Sequence, residues 1–131
     1  MAQNPEDRLA AMLKARGYLL PFHRVLAEQD PDFLDSYNLL VGKALVHGAP
    51  DPSRPAGLPA KYRELVVSAL LAFRGEGPGL EAHIRRALSL GATPEEVVSA
   101  FEAALIPGGA PTMKAGLEAL ARVLDETGSG A

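Results

Sequence analysis

The sequence predicts an all-α domain of about seven helices, two of them strongly buried, and three observations carry that prediction. Apolar residues recur at three and four positions along most of the chain, the helical period. A capping side chain followed by proline appears at Asn4-Pro5, Asp30-Pro31 and Thr93-Pro94, the pattern that opens helices. No stretch has the character of a convincing β-strand, and no internal repeat is visible.

The elements follow in order. Asn4-Pro5-Glu6-Asp7 starts a first helix, with acids near the positive end of its dipole, and Leu9, Met12 and Leu13 form its apolar stripe. Gly17 is placed to end it. Pro21 opens a second short helix with Phe22, Val25 and Leu26 on one side. Asp30-Pro31 opens a third, FLDSYNLLVGKALVHG, whose stripe runs through Phe33, Leu34, Tyr37, Leu40, Val41, Ala44 and Leu45 and which Gly48 closes. Residues 49–57, APDPSRPAG, are a loop rich in helix breakers. Neither side of that loop looks complete alone, so residues 1–131 are taken as one domain.

Pro59 then starts PAKYRELVVSALLAFRG, which is apolar on nearly every face from Leu65 to Phe73. Such a helix must be covered all round, and a subunit interface is the natural cover. The next helix, LEAHIRRALSLG, has Leu80, Ile84, Ala87 and Leu88 as its stripe and Gly91 as its stop. Thr93-Pro94-Glu95-Glu96 is a capping box leading into a helix buried through Val97, Val98, Phe101, Ala104 and Leu105. A glycine-rich turn, GGAP, precedes a last helix with Met113, Leu117, Leu120 and Leu124 inward. Residues 125–131 are expected to fray.

Composition narrows the function classes. Against 13 basic side chains stand 16 acidic ones, a formal net charge of −3, which leaves no electrostatic footprint for nucleic acid or an anionic membrane. No run approaches the roughly 18 apolar residues of a membrane span, and MAQNPEDRLAAML is too polar for a signal sequence; the expected location is cytoplasmic. The chain has no cysteine, which excludes disulfides, thiol catalysis and thiolate metal sites.

The polar candidates are few. His23, His47 and His83 fall on different helices without a second ligand at helical spacing, so no metal site is expected. Asp7 with Arg8, and Glu81 with Arg85, read as solvated surface charges. Arg63-Glu64 differs, because it heads a helix that otherwise avoids charge. A carboxylate entering a buried region needs a partner. Glu64 could pair with an arginine and fix packing, or meet a histidine as a proton-handling unit. His83, at the edge of its apolar stripe, could equally be a half-buried histidine bonded to a carbonyl.

The run from Leu58 to Pro111 resembles the carboxymuconolactone decarboxylase-like family, which shares its fold with the alkylhydroperoxidase D-like proteins. The carriers are Leu58-Pro59, Arg63-Glu64-Leu65, His83, Gly91-Ala92-Thr93 with Glu95-Glu96-Val97, and Gly109-Ala110-Pro111. The resemblance is strongest over residues 58–124, with weaker support from DPDFLDSYNLL. It implies an all-helical fold assembling as a homotrimer or homohexamer. In the thiol branch of the family, Glu64 and His83 match the outer acid–base residues, while Glu76 and Gly79 stand where two cysteines would be. A thiol-dependent peroxidase cycle is therefore disfavoured.

The decarboxylase branch needs no thiol. The resemblance implies a cofactor-free lyase acting on a small anionic substrate, a carboxylated lactone or keto acid. His83 would donate the proton, Glu64 would hold it, and Glu76 could serve as a second acid. Arg63, Arg74 or Arg86 would bind the carboxylate that stays behind. Where lactone decarboxylases often carry a tyrosine, this chain has Ile106-Pro107-Gly108. The alternative is a non-catalytic helical oligomer that binds a small ligand or a protein partner.

Overall fold

The structure, a computed structural model, describes residues 4–47 and 57–126. Seven helices and no strand occur among the described residues, and they fall into two compact units, 1–56 and 57–131. Most of the breaker-rich loop, from residue 48 to 56, lies outside the described residues, as do residues 127–131.

The first unit holds α1 (Pro5–Arg16), α2 (Pro21–Gln29) and α3 (Pro31–Leu45), each with proline in its first turn. Asn4 accepts the Asp7 N–H at 2.8 Å and Asp30 accepts that of Phe33, so two of the three starts have side-chain caps. At the third, His23 Nδ1 accepts the Leu20 N–H at 2.9 Å. The buried core is small: Leu9, Met12, Ala27 and Leu34. Leu13, Phe22, Val25, Phe33 and Leu40, expected inward, are exposed, because three short helices can each cover only a narrow stripe. Arg8 reaches across to Asp35 through two bonds of 2.8 and 3.0 Å, tying α1 to α3 instead of lying solvated beside Asp7. That hydrogen bond holds the Asp35 carboxyl below its usual range. α3 stops at Leu45, with Val46 in the left-handed cap at φ 59° and its N–H on Gly42 O. A β-branched residue rarely takes that conformation. The expected stop, Gly48, lies outside the described residues.

The second unit holds α4 (Ala60–Arg74), α5 (Gly77–Ser89), α6 (Pro94–Gly108) and α7 (Ala110–Glu126). Its core joins Leu65, Ala72, Leu80, Ile84, Val97, Phe101 and Leu120 with several alanines. Close packing is decided at Gly116, where any Cβ would overlap the fully buried Phe101 ring. The Thr93 box forms as expected: Glu96 N–H donates to Thr93 Oγ1 at 3.0 Å and Thr93 N–H to Glu96 Oε1 at 2.9 Å.

Three boundaries differ from the sequence expectation. α5 begins at Gly77, so the Gly77-Pro78-Gly79 segment is its first turn; the link to α4 is only Gly75, at φ 76°, and Glu76. Proline is tolerated in a first turn because its missing N–H has no intrahelical partner there. GGAP contributes one linking residue, Gly109, while Gly108 ends α6 and Ala110-Pro111 opens α7. Asp125 and Glu126 remain helical, and Glu126 receives Arg85 through two bonds of 2.8 and 2.7 Å. None of the described helices is long and apolar enough to cross a membrane.

Candidate functional site

α4 buries Glu64, Leu65, Ser68 and Ala72, a stripe that recurs every turn and includes a charge. Glu64 has no solvent exposure. Its backbone carbonyl accepts the Ser68 hydroxyl at 2.8 Å, a back-bond within the helix. The opposing surface comes from α5, where His83 and Arg86, three residues apart, lie on adjacent turns of one helix face.

The two side chains take one carboxylate oxygen each. His83 Nδ1 lies 2.6 Å from Glu64 Oε1, and Arg86 Nε donates to Glu64 Oε2 at 3.2 Å. A carboxylate beside a guanidinium serves as an acceptor, which assigns the hydrogen of the short contact to Nδ1. Nε2 is then the nitrogen with a lone pair for proton exchange. The His83 side chain keeps 11% of its surface open, against none for Glu64. The Arg86 side chain is open to a similar extent, so the imidazole and the guanidinium, and not the carboxylate, are the members of the group that a small molecule can reach. A buried carboxylate with a guanidinium and an imidazole around it is a balanced arrangement in a low-dielectric place.

Of the six residues expected at the site, the structure brings Glu64, His83 and Arg86 together. Arg86 was expected on substrate, yet its Nε is directed at Glu64. Arg63 donates from Nε to the Leu58 carbonyl at 2.7 Å, closing the turn before α4. Arg74 is exposed in the last turn of α4, and Glu76 is the exposed N-cap residue of α5, making no capping bond with its side chain. An open groove between α4 and α6, lined by Tyr62, Leu65, Glu95, Glu96, Ser99 and Ala100, does not include the Glu64 group.

A second buried polar pair, in the first unit, escaped the sequence reading. Arg16 and His23 are each 1% exposed, with Arg16 Nη1 against His23 Nε2. Burial and the neighbouring guanidinium push the imidazole down to about 4. A hint was available: Arg16 closes α1 and His23 falls in the first turn of α2, so a short link forces them close.

The family model of carboxymuconolactone decarboxylases matches residues 35–122. The chain belongs to the carboxymuconolactone decarboxylase family. The match starts upstream of Leu58 and takes in the end of DPDFLDSYNLL, wider than the stretch that carried the resemblance. Among solved structures, a proposed carboxymuconolactone decarboxylase from Burkholderia xenovorans LB400 is similar at a TM-score of 0.75 and 24% identity. The likeness covers 97% of this chain and 98% of that one, and it establishes the shared all-α fold. A comparison with curated proteins gives no significant match. The chain has no cysteine, so its Glu64–His83 pair stands without a thiol beside it.

Proposed function

We propose that this family member is a cofactor-free carboxy-lyase acting on a small carboxylated lactone or keto acid. The observation that carries the reading is the 2.6 Å contact between His83 Nδ1 and the buried Glu64 carboxylate, with the imidazole partly open. In the reaction, the bond between the substrate carbon and its carboxylate breaks and CO2 leaves. The electron pair passes through the double bond into the carbonyl, giving a dienolate. His83 first takes a proton from solvent on Nε2 and then delivers it to carbon, returning to the neutral Nδ1–H form, and Glu64 steadies the imidazole as its charge changes. Exposed Arg74, with Arg63 nearer the head of α4, supplies charge for a carboxylate that stays behind, and Glu76 is available as a second acid.

The decisive assay follows CO2 release from γ-carboxymuconolactone and related unsaturated keto acids and lactones, comparing the native chain with His83→Ala. Turnover that disappears in a folded variant supports the lyase. If the native chain leaves every compound untouched, the lyase reading fails and the alternative, a non-catalytic helical oligomer that binds a small ligand or a protein partner, takes its place.

A further inference from the structure

Glu64 has two carboxylate oxygens and no access to water, so its orientation is set by what each oxygen meets. Oε1 meets His83 and Oε2 meets Arg86 Nε. Two separate partners fix both the position and the plane of the carboxylate, where one partner would leave rotation about the last bond. Both come from the same face of α5, so their spacing is that of the helix itself. The Arg86 side chain is only 12% exposed, which places its charge where water screens it little. A guanidinium in this position is aimed at the residue behind the histidine.

We propose that Arg86 is a positioning residue that acts through Glu64. It holds the carboxylate so that Oε1 takes the hydrogen of His83 Nδ1, and this leaves Nε2 as the nitrogen that exchanges protons with a reactant. Arg86 itself does not touch the substrate. The proposal rests on the reading of His83 as the proton donor, and it separates Arg86 from an arginine that anchors a substrate carboxylate. An anchor sets KM, whereas a residue that orients the donor sets kcat.

The test is the tautomer of His83, read by long-range proton–nitrogen NMR on histidine-labelled full chain at a pH where the imidazole is neutral. The native spectrum is expected to show the hydrogen on Nδ1; a hydrogen on Nε2 overturns the proposal without any variant. In Arg86→Gln the Nδ1–H form is expected to give way to a mixture, and an unchanged tautomer in a folded variant overturns it as well. Should Arg86→Gln fail to fold, Arg86→Met, which keeps the length of the side chain without its donor, takes its place: a mixture of tautomers is expected, and an unchanged Nδ1–H form in the folded variant overturns the proposal. With a substrate in hand, Arg86→Gln should lower kcat about ten- to a hundred-fold, the range seen when an outer partner behind a metal-bound histidine is removed, and leave KM within about two-fold. A raised KM with kcat intact makes Arg86 an anchor and overturns the proposal. Absence of turnover in the native chain removes the lyase reading and leaves the tautomer result standing. An unchanged tautomer removes the role of Arg86 and leaves His83 as donor.

Discussion

Glu64 Oε1 and His83 Nδ1 lie 2.6 Å apart, joining the first turns of α4 to the middle of α5 through one buried contact. The pair matters to the fold as well as to chemistry, because it satisfies a carboxylate that has no exposure at all. Removing the carboxylate leaves the Arg86 guanidinium and the imidazole facing a hole. Glu64→Ala is expected to cost about 3–5 kcal/mol, the range for breaking a buried charged pair from one side. Glu64→Gln keeps the volume and one acceptor and should cost clearly less. Urea denaturation of both variants checks this, and equal losses would show that the charge contributes nothing.

Gly116 presents its bare backbone to the Phe101 ring, and a methyl group there would overlap the ring. Phe101 is fully buried and belongs to the main core, so it has little room to move. Gly116→Ala is expected to destabilise by about 1–3 kcal/mol despite the better helix propensity of alanine. Phe101→Leu in the same chain should recover part of that loss, since the two positions share one contact. Thermal melts of the two single variants and the double variant decide it.

Much of this was visible in the sequence, for reasons particular residues make plain. Glu64 stood out because a carboxylate in VVSALLAF-type surroundings has to be answered, and the family resemblance pointed to His83 as the answer. Which arginine joins them was not legible. Arg63, Arg74 and Arg86 are all near in sequence, and the choice depends on how α5 folds back over α4 after the left-handed Gly75. Apolar periodicity marked the helices, but it does not distinguish a core stripe from an outward one. Phe33 and Leu40 share the period of Leu34 and Leu45 and are exposed nonetheless. The segment Gly77-Pro78-Gly79 carried turn composition, yet proline and glycine are acceptable in a first helical turn, where few backbone bonds depend on them.

His23 gives the first unit a pH dependence. The buried imidazole, next to Arg16, takes its proton only near pH 4, whereas in the unfolded chain it does so near 6.5. Between these values the unfolded state binds the extra proton, so stability is intact above about 6.5 and falls as the pH drops toward 4. At pH 5 the loss from this group is about 2 kcal/mol. Denaturation at pH 7 and pH 5 should show it, and His23→Gln should flatten the difference whatever its effect at pH 7. A variant that keeps the full pH dependence would assign it to other groups.

The outer face of α4 makes the last prediction. Val66, Leu70 and Phe73 follow one another at helical spacing and are 52, 58 and 62% exposed. Three large apolar side chains on one face cost free energy in contact with water, at roughly 25 cal/mol for each Å² left uncovered. A second copy of the same face would relieve that cost, in keeping with the trimer or hexamer expected from the family resemblance. Sedimentation of the native chain should then give a mass above that of one 13.8 kDa protomer. Leu70→Asp should shift the mass to the protomer with helical content unchanged, because substitution at an exposed position rarely alters stability by more than about 0.5 kcal/mol. A native chain that sediments as a single protomer at high concentration would leave this face without a self-partner, and the expected assembly would be wrong.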